Sequence, residues 1–423
     1  MTRRVVVTGL GVVAPNGQNV TTFRESLEAG RSAVRRIRRF TTSAYPTQIA
    51  AEVDDVPCPS SFDPEKWADL DRIARFALAA AEQAVADARL GDDAGREHAG
   101  VLMAAGFGSY DHEEVFTACA AGQSNDGFDW AAFRDQFRRT VKPRATERRT
   151  PGAVPTLLAR HFGFGGPVMA VMTACAAGTQ ALGDAARWIR AGDADVVIAG
   201  GADSEIYPMG LASFCLLRAL SRRNDDPEKA SRPFSADRDG FVLGEGAGVL
   251  VLEELEHARA RNATIHAEVL GFGSACDSYR VTDPHPESVG EILAMLRALG
   301  QAGVSVDDVD YLNAHGTSTP LNDRIEARAV ASLFGDRRVA VSSTKSMIGH
   351  LTVAAGAVEA IATICSLQAQ LAHPTINLND PDPECDVDVV RNESRPMKIQ
   401  VALSNSFAFG GQCASIALGL LLP

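Results

Sequence analysis

The 423-residue sequence lacks the features that mark membrane, secreted and metal-binding proteins. No apolar run approaches the roughly 20 residues that a membrane-spanning helix needs. The first apolar run has only the length of a strand, so we do not expect a signal peptide. None of the eight cysteines forms a Cys-x-x-Cys pair or lies at zinc-site spacing from a histidine, which argues against disulfides and a metal. These absences predict a protein of the reducing cytoplasm.

The sequence also has no excess of positive charge. Its 53 acidic and 41 basic side chains give a formal charge of −12, which disfavours binding to nucleic acid or to an anionic membrane. Hydrophobic residues make up 46% of the chain and charged residues 22%, as in a folded globular protein with a large core. At this length the chain can hold two or three domains or one large α/β unit.

Strand-length apolar runs alternate with helical patterns along the chain, which is typical of an α/β fold. The clearest helix spans residues 68–90. The alternation begins again near residue 260, so the sequence predicts two α/β halves. The predicted strands are residues 100–104, 194–201 and, as a glycine-interrupted strand pair, 241–252. A further strand begins at residue 5 and is followed by a glycine pattern.

A Gly-x-Gly-x-x-Ala pattern over residues 9–14 superficially resembles a dinucleotide-binding loop. Pro15, Asn16 and Gly17 then form a turn where the phosphate-binding helix would begin. A glycine motif without its helix has no phosphate cradle, so we do not expect a nucleotide site here.

Residues 168–178 hold the first candidate for chemistry. An apolar run, predicted to be a buried strand, ends at Cys175, and a helical pattern follows Gly178. This order places the thiol at a helix N-terminus, where free N–H groups and the helix dipole favour a thiolate. The alternative is a small buried cysteine, because an activated cysteine also needs a base elsewhere.

The second half of the chain supplies two candidate bases, each in a loop after a predicted strand. His315 lies in a turn rich in Thr and Ser, and Lys345 precedes His350 by five residues in a similar loop. Glu359 lies in the first turns of the next helix. A single histidine at a strand end is often structural, but two in similar loops indicate a site.

Two further segments are candidates for contact with substrates or partners. Residues 109–150 are predicted to be polar and irregular, and their basic end is either a solvated surface or a patch for an acidic partner. This basic end comprises Arg138, Arg139, Lys142, Arg144, Arg148 and Arg149. Residues 404–411 form a glycine-rich loop that is capable of moving.

Together these motifs resemble the elongating beta-ketoacyl-acyl carrier protein synthases, including the ketosynthase α subunits of type II polyketide systems. The resemblance covers nearly the whole chain and implies a thiolase-like α/β fold of five αβαβα layers. Its two similar halves would be residues 1–263, with the nucleophile and the dimer strand, and residues 264–423, with the histidines. The matching segments are residues 173–175, 315–320, 345–351 and 405–411.

The resemblance implies a decarboxylative condensation. Cys175 would take an acyl group from a phosphopantetheine thioester, and loss of CO₂ from a malonyl thioester would give an enolate that attacks it. His315 and His350 would stabilise the enolate oxygen through N–H groups, with Lys345 and Glu359 in support.

The resemblance also assigns residues around this centre. The N–H groups of Cys175 and Phe409 would form an oxyanion hole, within a gate made of Ala408, Phe409, Gly410 and Gly411. Thr317 and Thr319 would hold the pantetheine arm, and Arg218 would contact the carrier. The implied partners are an acyl carrier protein and either an identical copy or a chain-length-factor-like subunit, and no cofactor is implied.

The sequence departs from the family pattern at several positions. Ala408 replaces the usual first glycine of the gate, which restricts its backbone, and Cys413 replaces an asparagine. Phe107 would line and shorten the acyl pocket. Residues 65–69 lack a basic cluster that often meets the carrier. These departures favour specialised polyketide or polyene extension over housekeeping fatty-acid elongation.

Two other functions stay open at this point. A chain-length-factor-like subunit would shape the tunnel without catalysis, but such subunits lack the cysteine. A thiolase or a non-extending acyltransferase would not need the combination of His350 and Lys345.

Overall fold

The computed structural model describes residues 3–91, 96–106, 112–141 and 150–421. Eleven strands of this part form one sheet, labelled in chain order. They are β1 Val5–Val13, β2 Ala99–Ala105, β3 Val168–Val171, β4 Val196–Ser204, β5 Glu245–Glu254, β6 Ala267–Cys276, β7 Tyr311–Asn313, β8 Ala340–Ser342, β9 Asp388–Val389, β10 Val401–Ala408 and β11 Gln412–Gly419. Three small two-stranded sheets pair Arg35–Arg36 with Ile49–Ala50, Gln123–Ser124 with Gly127–Phe128, and Leu371–Ala372 with Arg395–Pro396.

Thirteen α-helices accompany these strands in the described residues. They are α1 Val20–Glu28, α2 Pro64–Asp69, α3 Arg72–Ala88, α4 His112–Gly122, α5 Trp130–Thr140, α6 Ala153–Phe162, α7 Ala177–Ala191, α8 Pro208–Leu216, α9 Leu255–Ala260, α10 Val289–Ala302, α11 Pro320–Phe334, α12 Lys345–Ile348 and α13 Ala355–Ala369.

The strand order repeats between the two halves of the chain. The first half runs β3-β2-β4-β5-β1 and the second runs β8-β7-β10-β11-β6, with β9 outside β8. In each half the first two neighbour pairs are parallel and the last two are antiparallel. A short antiparallel pairing of β1 with β6 joins them. Two similar halves are therefore confirmed, while a boundary at residues 263/264 stays a prediction.

The helices form three layers around the two halves of the sheet. α3 and α6 pack on the outer face of the first half, and α10 packs on the outer face of the second together with α11. α7 and α13 contact each other and strands of both halves, so they form the central layer. Every residue of α13 from Ala355 to Leu367 is buried. This is the predicted five-layer arrangement.

One segment, Thr352–Ala369, is long and apolar enough to cross a membrane by composition, contrary to our expectation that no run comes close. It is 89% buried inside the protein. The segment includes α13, so its apolar character reflects its place in the central layer.

The glycines of the Gly-x-Gly pattern lie inside β1 rather than in a turn after it. A Cβ at Gly9 or Gly11 would overlap the carbonyl oxygen of Ala84 or Ala80 on α3. These glycines let the helix approach the strand closely, which is a packing role and not a nucleotide cradle.

The prediction of a buried strand before Cys175 is wrong. β3 is the last strand of the sheet, and Val168 and Met169 are 43% and 41% exposed. Apolar composition alone does not distinguish a buried core strand from an edge strand whose apolar side chains are exposed in the single chain.

The predicted strand pair at residues 241–252 is also wrong, because β5 is a single strand. Its glycines serve close packing as expected, since a Cβ at Gly248 would lie 2.7 Å from the backbone nitrogen of Val358 on α13. The preceding segment makes only isolated bridges, such as Leu243 with His350.

The prediction that residues 109–150 are irregular is wrong for the described part. Residues 112–141 form α4, a short hairpin and α5, because Asp129 caps α5 and four aromatic rings pack together. Arg138 and Arg139 lie in the last turn of α5, where cations favourably meet the free carbonyls. The rest of the predicted basic end, Lys142, Arg144, Arg148 and Arg149, lies outside the described residues.

Candidate active site

A cavity of about 340 Å³, the central cavity, draws its walls from both halves of the chain. Cys175 comes from the first half, and the histidines and gate residues come from the second. The lining residues that matter here are Cys175, His315, His350, Thr317, Phe409 and Glu291. The structure thus brings together side chains that are far apart in sequence.

Cys175 lies where the sequence places it, directly before a helix. It is the middle residue of a 3₁₀ turn, Ala174–Ala176, which leads into α7. The backbone of Ala174 is left-handed, with φ of 48°, and this turns the chain sharply after β3. The thiol faces the cavity, but its burial raises the pKa to about 12 although Lys345 opposes the rise. The expected resting thiolate is therefore outweighed by desolvation, and the group rests as a thiol.

His315 is fixed by its backbone and by one ring nitrogen. Its backbone N–H donates to Glu326 Oε1 at 2.8 Å, and the N–H of Gly316 donates to Glu326 Oε2 at 2.7 Å. The Nδ1 atom lies 3.3 Å from Lys345 Nζ. Because an ammonium group only donates, Nδ1 accepts and Nε2 carries the ring proton.

His350 has the same tautomer for a different reason. The backbone N–H of Thr352 donates to its Nδ1 at 3.3 Å, which leaves the proton on Nε2. The rings of His350 and His315 are perpendicular, with centroids 5.2 Å apart. Burial, with a further contribution from Lys345, lowers both pKa values well below the ordinary one. The site therefore holds two neutral imidazoles, each with an Nε2–H that has no hydrogen-bond partner among the described residues.

Lys345 and Glu359 form a fully buried ion pair behind the histidines. Lys345 Nζ donates to Glu359 Oε1, and both side chains are 1% exposed. Burial raises the pKa of Glu359 to about 7, against the opposing charge of Lys345. The pair brings a positive charge next to His315 without exposing it to the cavity water.

The glycine-rich loop predicted at residues 404–411 is a loop only at its end, because residues up to Ala408 belong to β10. This end forms another wall of the cavity. Phe409–Gly411 is a kinked, irregular turn between β10 and β11, because Gly410 and Gly411 are left-handed with φ of 78° and 70°. We call Ala408–Gly411 the gate loop. Gly410 N–H donates to Val281 O at 2.7 Å, and Asp277 N–H donates to Gly411 O at 2.9 Å. The loop is thus fastened to residues 277–281.

Models of the beta-ketoacyl synthase N-terminal and C-terminal domains match residues 2–258 and 266–379. The 3-oxoacyl-[acyl-carrier-protein] synthase 2 of Coxiella burnetii is 44% identical over 430 residues, which cover 98% of both chains. The chain belongs to the beta-ketoacyl synthase family. As a beta-ketoacyl synthase it is a condensing enzyme of the acyltransferase class.

Solved structures of synthases agree with this assignment. The ishigamide ketosynthase/chain length factor matches with a TM-score of 0.88 and 35% identity over all of both chains. A type II polyketide ketosynthase, AntDE, in complex with the carrier protein AntF and bound to the hexaketide, matches with a TM-score of 0.88 and 32% identity, again over all of both chains. The fold of this synthase is the thiolase-like one that the sequence motifs imply.

The other predicted site residues of the synthase lie around the cavity. Thr317 and Thr319 both line it, and their hydroxyl oxygens are 2.9 Å apart. Arg218 follows α8 and is an exposed residue of the lining. Phe107, the predicted acyl-pocket residue, lies outside the described residues.

The sequence reasoning missed two carboxylates that hold the synthase site together. Glu326 on α11 binds the loop of His315 as described above, and Asp203, at the end of β4, accepts from the hydroxyl and N–H of Thr352 and Val353. Burial raises their pKa values to about 7 and about 6. Glu326 acts on backbone 10 and 11 residues before it, whereas Asp203 acts on a segment about 150 residues further along the chain. A signal existed only for Asp203, which closely follows the predicted strand at residues 194–201.

Proposed function

We propose that this synthase extends an acyl group, held as a thioester on Cys175, by decarboxylative condensation with a malonyl thioester of an acyl carrier protein. The observation that carries the proposal is the pair of neutral imidazoles whose Nδ1 atoms both accept hydrogen bonds. Each ring then offers Nε2–H as a donor, in the same cavity as the thiol. Two donors are what an enolate oxygen requires.

In the first half-reaction Cys175 Sγ attacks the carbonyl of an acyl-pantetheine thioester. The new S–C bond forms as the pantetheine sulfur leaves, and the thiol proton of Cys175 passes to that sulfur. Because the thiol is not ionised at rest, its proton must leave during the transfer. The backbone N–H groups of Cys175 and Phe409 are proposed to bind the oxyanion.

In the second half-reaction the malonyl thioester loses CO₂ and leaves an enolate. His315 and His350 donate to the enolate oxygen, and its carbon attacks the acyl-cysteine carbonyl. The C–S bond then breaks, which releases the β-ketoacyl carrier and leaves Cys175 as a thiolate, and a proton from solvent restores the thiol. Lys345 and Glu359 act as positioning residues, because Lys345 fixes the tautomer of His315 and keeps it neutral.

The carrier supplies the pantetheine arm, so no separate cofactor is proposed. Thr317 and Thr319 are proposed to hold the arm, with Arg218 contacting the carrier at the cavity mouth and the gate loop opening for the acyl chain. The AntDE structure is itself a complex with a carrier protein. A location in the cytoplasm stays a prediction.

A second chain is proposed to cover the edge strand β3. Val168 and Met169 are exposed, and β3 pairs with a neighbouring strand on one side only among the described residues, which favours strand pairing with a partner. The partner is either an identical copy or a chain-length-factor-like subunit, as in the ishigamide pair. Light scattering on the purified chain is expected to give a homodimer mass if the partner is identical. A monomer would contradict the homodimer.

The pathway is a separate proposal with two candidates. Curated relatives such as the Coxiella burnetii enzyme favour elongation in fatty-acid synthesis. Ala408 in the gate loop and a carboxyl group in the cavity wall, Glu291, favour a specialised polyketide or polyene pathway. Phe107, which the sequence also suggests as a mark of the specialised pathway, lies outside the described residues.

The test is mass spectrometry of products formed by the purified enzyme from malonyl-carrier and octanoyl-carrier. We expect a β-ketoacyl product two carbons longer than the starter, with loss of CO₂. His350→Ala should impair extension by roughly a hundredfold while acylation of Cys175 is largely kept, because this donor serves the enolate. Equal loss of both half-reactions would contradict the role given to His350.

A further inference from the structure

Glu291 is a buried carboxyl group in the wall of the central cavity that no step above uses. It lies in the first turn of α10, and the residue is 1% exposed. Its Oε2 atom has no hydrogen-bond partner among the described residues. The carboxyl group is therefore buried in the cavity wall, where a backbone hydrogen bond from its own residue reaches it but Oε2 stays unpaired among the described residues.

The surroundings of Glu291 connect it to the gate. A Cβ on the preceding Gly290 would lie 2.8 Å from Cys413 Sγ and 3.0 Å from Asp277 Cβ. Asp277 in turn binds the backbone of Gly411, as described above. Glu291 thus belongs to the part of the wall behind the gate loop, on the second half of the chain.

A role in helix stability does not account for this side chain. An acidic side chain in the first turn of a helix interacts favourably with the helix dipole. A solvent-exposed carboxylate gains this interaction without the free-energy cost of burying its charge. Leaving a buried acceptor unpaired costs about 1–3 kcal/mol. Burial, together with the charge of Asp277, raises the pKa of Glu291 to about 7. Near neutral pH the carboxyl group can therefore donate as well as accept a hydrogen bond.

We propose that Glu291 forms a polar subsite of the central cavity that selects acyl chains bearing a hydroxyl or keto oxygen over unsubstituted hydrocarbon chains. This inference rests on the proposed function and names its substrate class. A hydrocarbon chain beside the carboxyl group would leave Oε2 unpaired, whereas a hydroxyl or keto oxygen on the chain would pair with the carboxyl group. Sites built to bond a substrate hydroxyl reject the analogue that lacks it.

The test compares octanoyl-carrier with octanoyl-carriers hydroxylated at the third, fifth or seventh carbon. The readout is the ratio of kcat/KM for hydroxylated over unsubstituted chains. In the unmodified enzyme we expect at least one hydroxylated chain to be preferred. Glu291→Met, which keeps the size but not the polarity, should lower that preference about tenfold. Glu291→Gln should retain part of it, and Glu287→Met, at an exposed position nearby, should leave it unchanged.

Two results overturn the inference. One is the absence of any preference in the unmodified enzyme, which decides the matter even if Glu291→Met does not fold. The other is an unchanged ratio in Glu291→Met, including the case in which all chains slow equally because Glu291 touches the common pantetheine arm. If no chain acylates Cys175, the proposed function itself fails, and this outcome is distinct from the other two.

Discussion

At the scale of single residues, the proposed mechanism uses groups that burial keeps neutral. Cys175 rests as a thiol, and the two histidines rest as imidazoles. The buried positive charge of Lys345 is the exception, and it lowers the pKa of both histidines in addition to the effect of burial. The sequence motifs could identify these residues, but not the protonation states, which depend on burial and on Nδ1 partners.

The role of Lys345 predicts a pH effect. Acidification protonates the imidazoles and removes their function as neutral donors, so activity falls at low pH. Because the pKa values of the histidines are lowered, this fall should begin below the ordinary histidine value of about 6.5. Lys345→Met removes one cause of the lowering, so the acid limb of the kcat/KM profile should move to higher pH.

The control for this measurement is Lys66→Met on α2, because Lys66 is exposed and does not line the central cavity. Its acid limb should coincide with that of the unmodified enzyme. An unmoved acid limb in Lys345→Met, with extension still measurable, would show that the lysine does not set the histidine pKa values.

At the scale of elements, parallel strand neighbours bring the histidine loops together. β7 and β8 are parallel and adjacent, so the loops at their carboxyl ends, which carry His315 and Lys345, meet at one edge. This arrangement follows from the alternation of strands and helices, and it could be expected from the sequence. Asp203 could not, because it binds backbone 150 residues away that only the tertiary fold brings near. Glu326 binds the His315 loop from the helix that follows it, 11 residues further on, and no sequence motif marks this contact.

The contact of β1 with α3 gives a prediction at the same scale. Gly11→Ala should lower the free energy of unfolding by about 1–3 kcal/mol, because its Cβ overlaps the backbone of Ala80. Urea denaturation measures the change. Gly300→Ala on α10, where a Cβ meets no atom within 4 Å, should instead stabilise by about 0.4–1 kcal/mol. If both substitutions had the same small effect, the close packing of β1 on α3 would be refuted.

At the scale of the whole molecule, two halves with the same strand order meet around one cavity. Hydrophobic alternation predicted the halves, and the motifs predicted which half carries the thiol and which the histidines. The edge position of β3 could not be predicted, because Val168 and Met169 look like core residues in sequence while they are exposed in a single chain. The helices within residues 112–141 were missed because a polar, turn-containing sequence hid their aromatic packing.

The central claim is that Cys175, in the first half of the chain, carries the acyl group in a cavity where histidines of the second half act as hydrogen-bond donors. Intact-mass spectrometry after incubation with octanoyl-carrier tests it most directly. We predict one acyl adduct on the unmodified protein and on Cys276→Ala, whose thiol is exposed next to the gate loop. We predict no adduct on Cys175→Ala. An adduct of equal yield on Cys175→Ala would contradict the account.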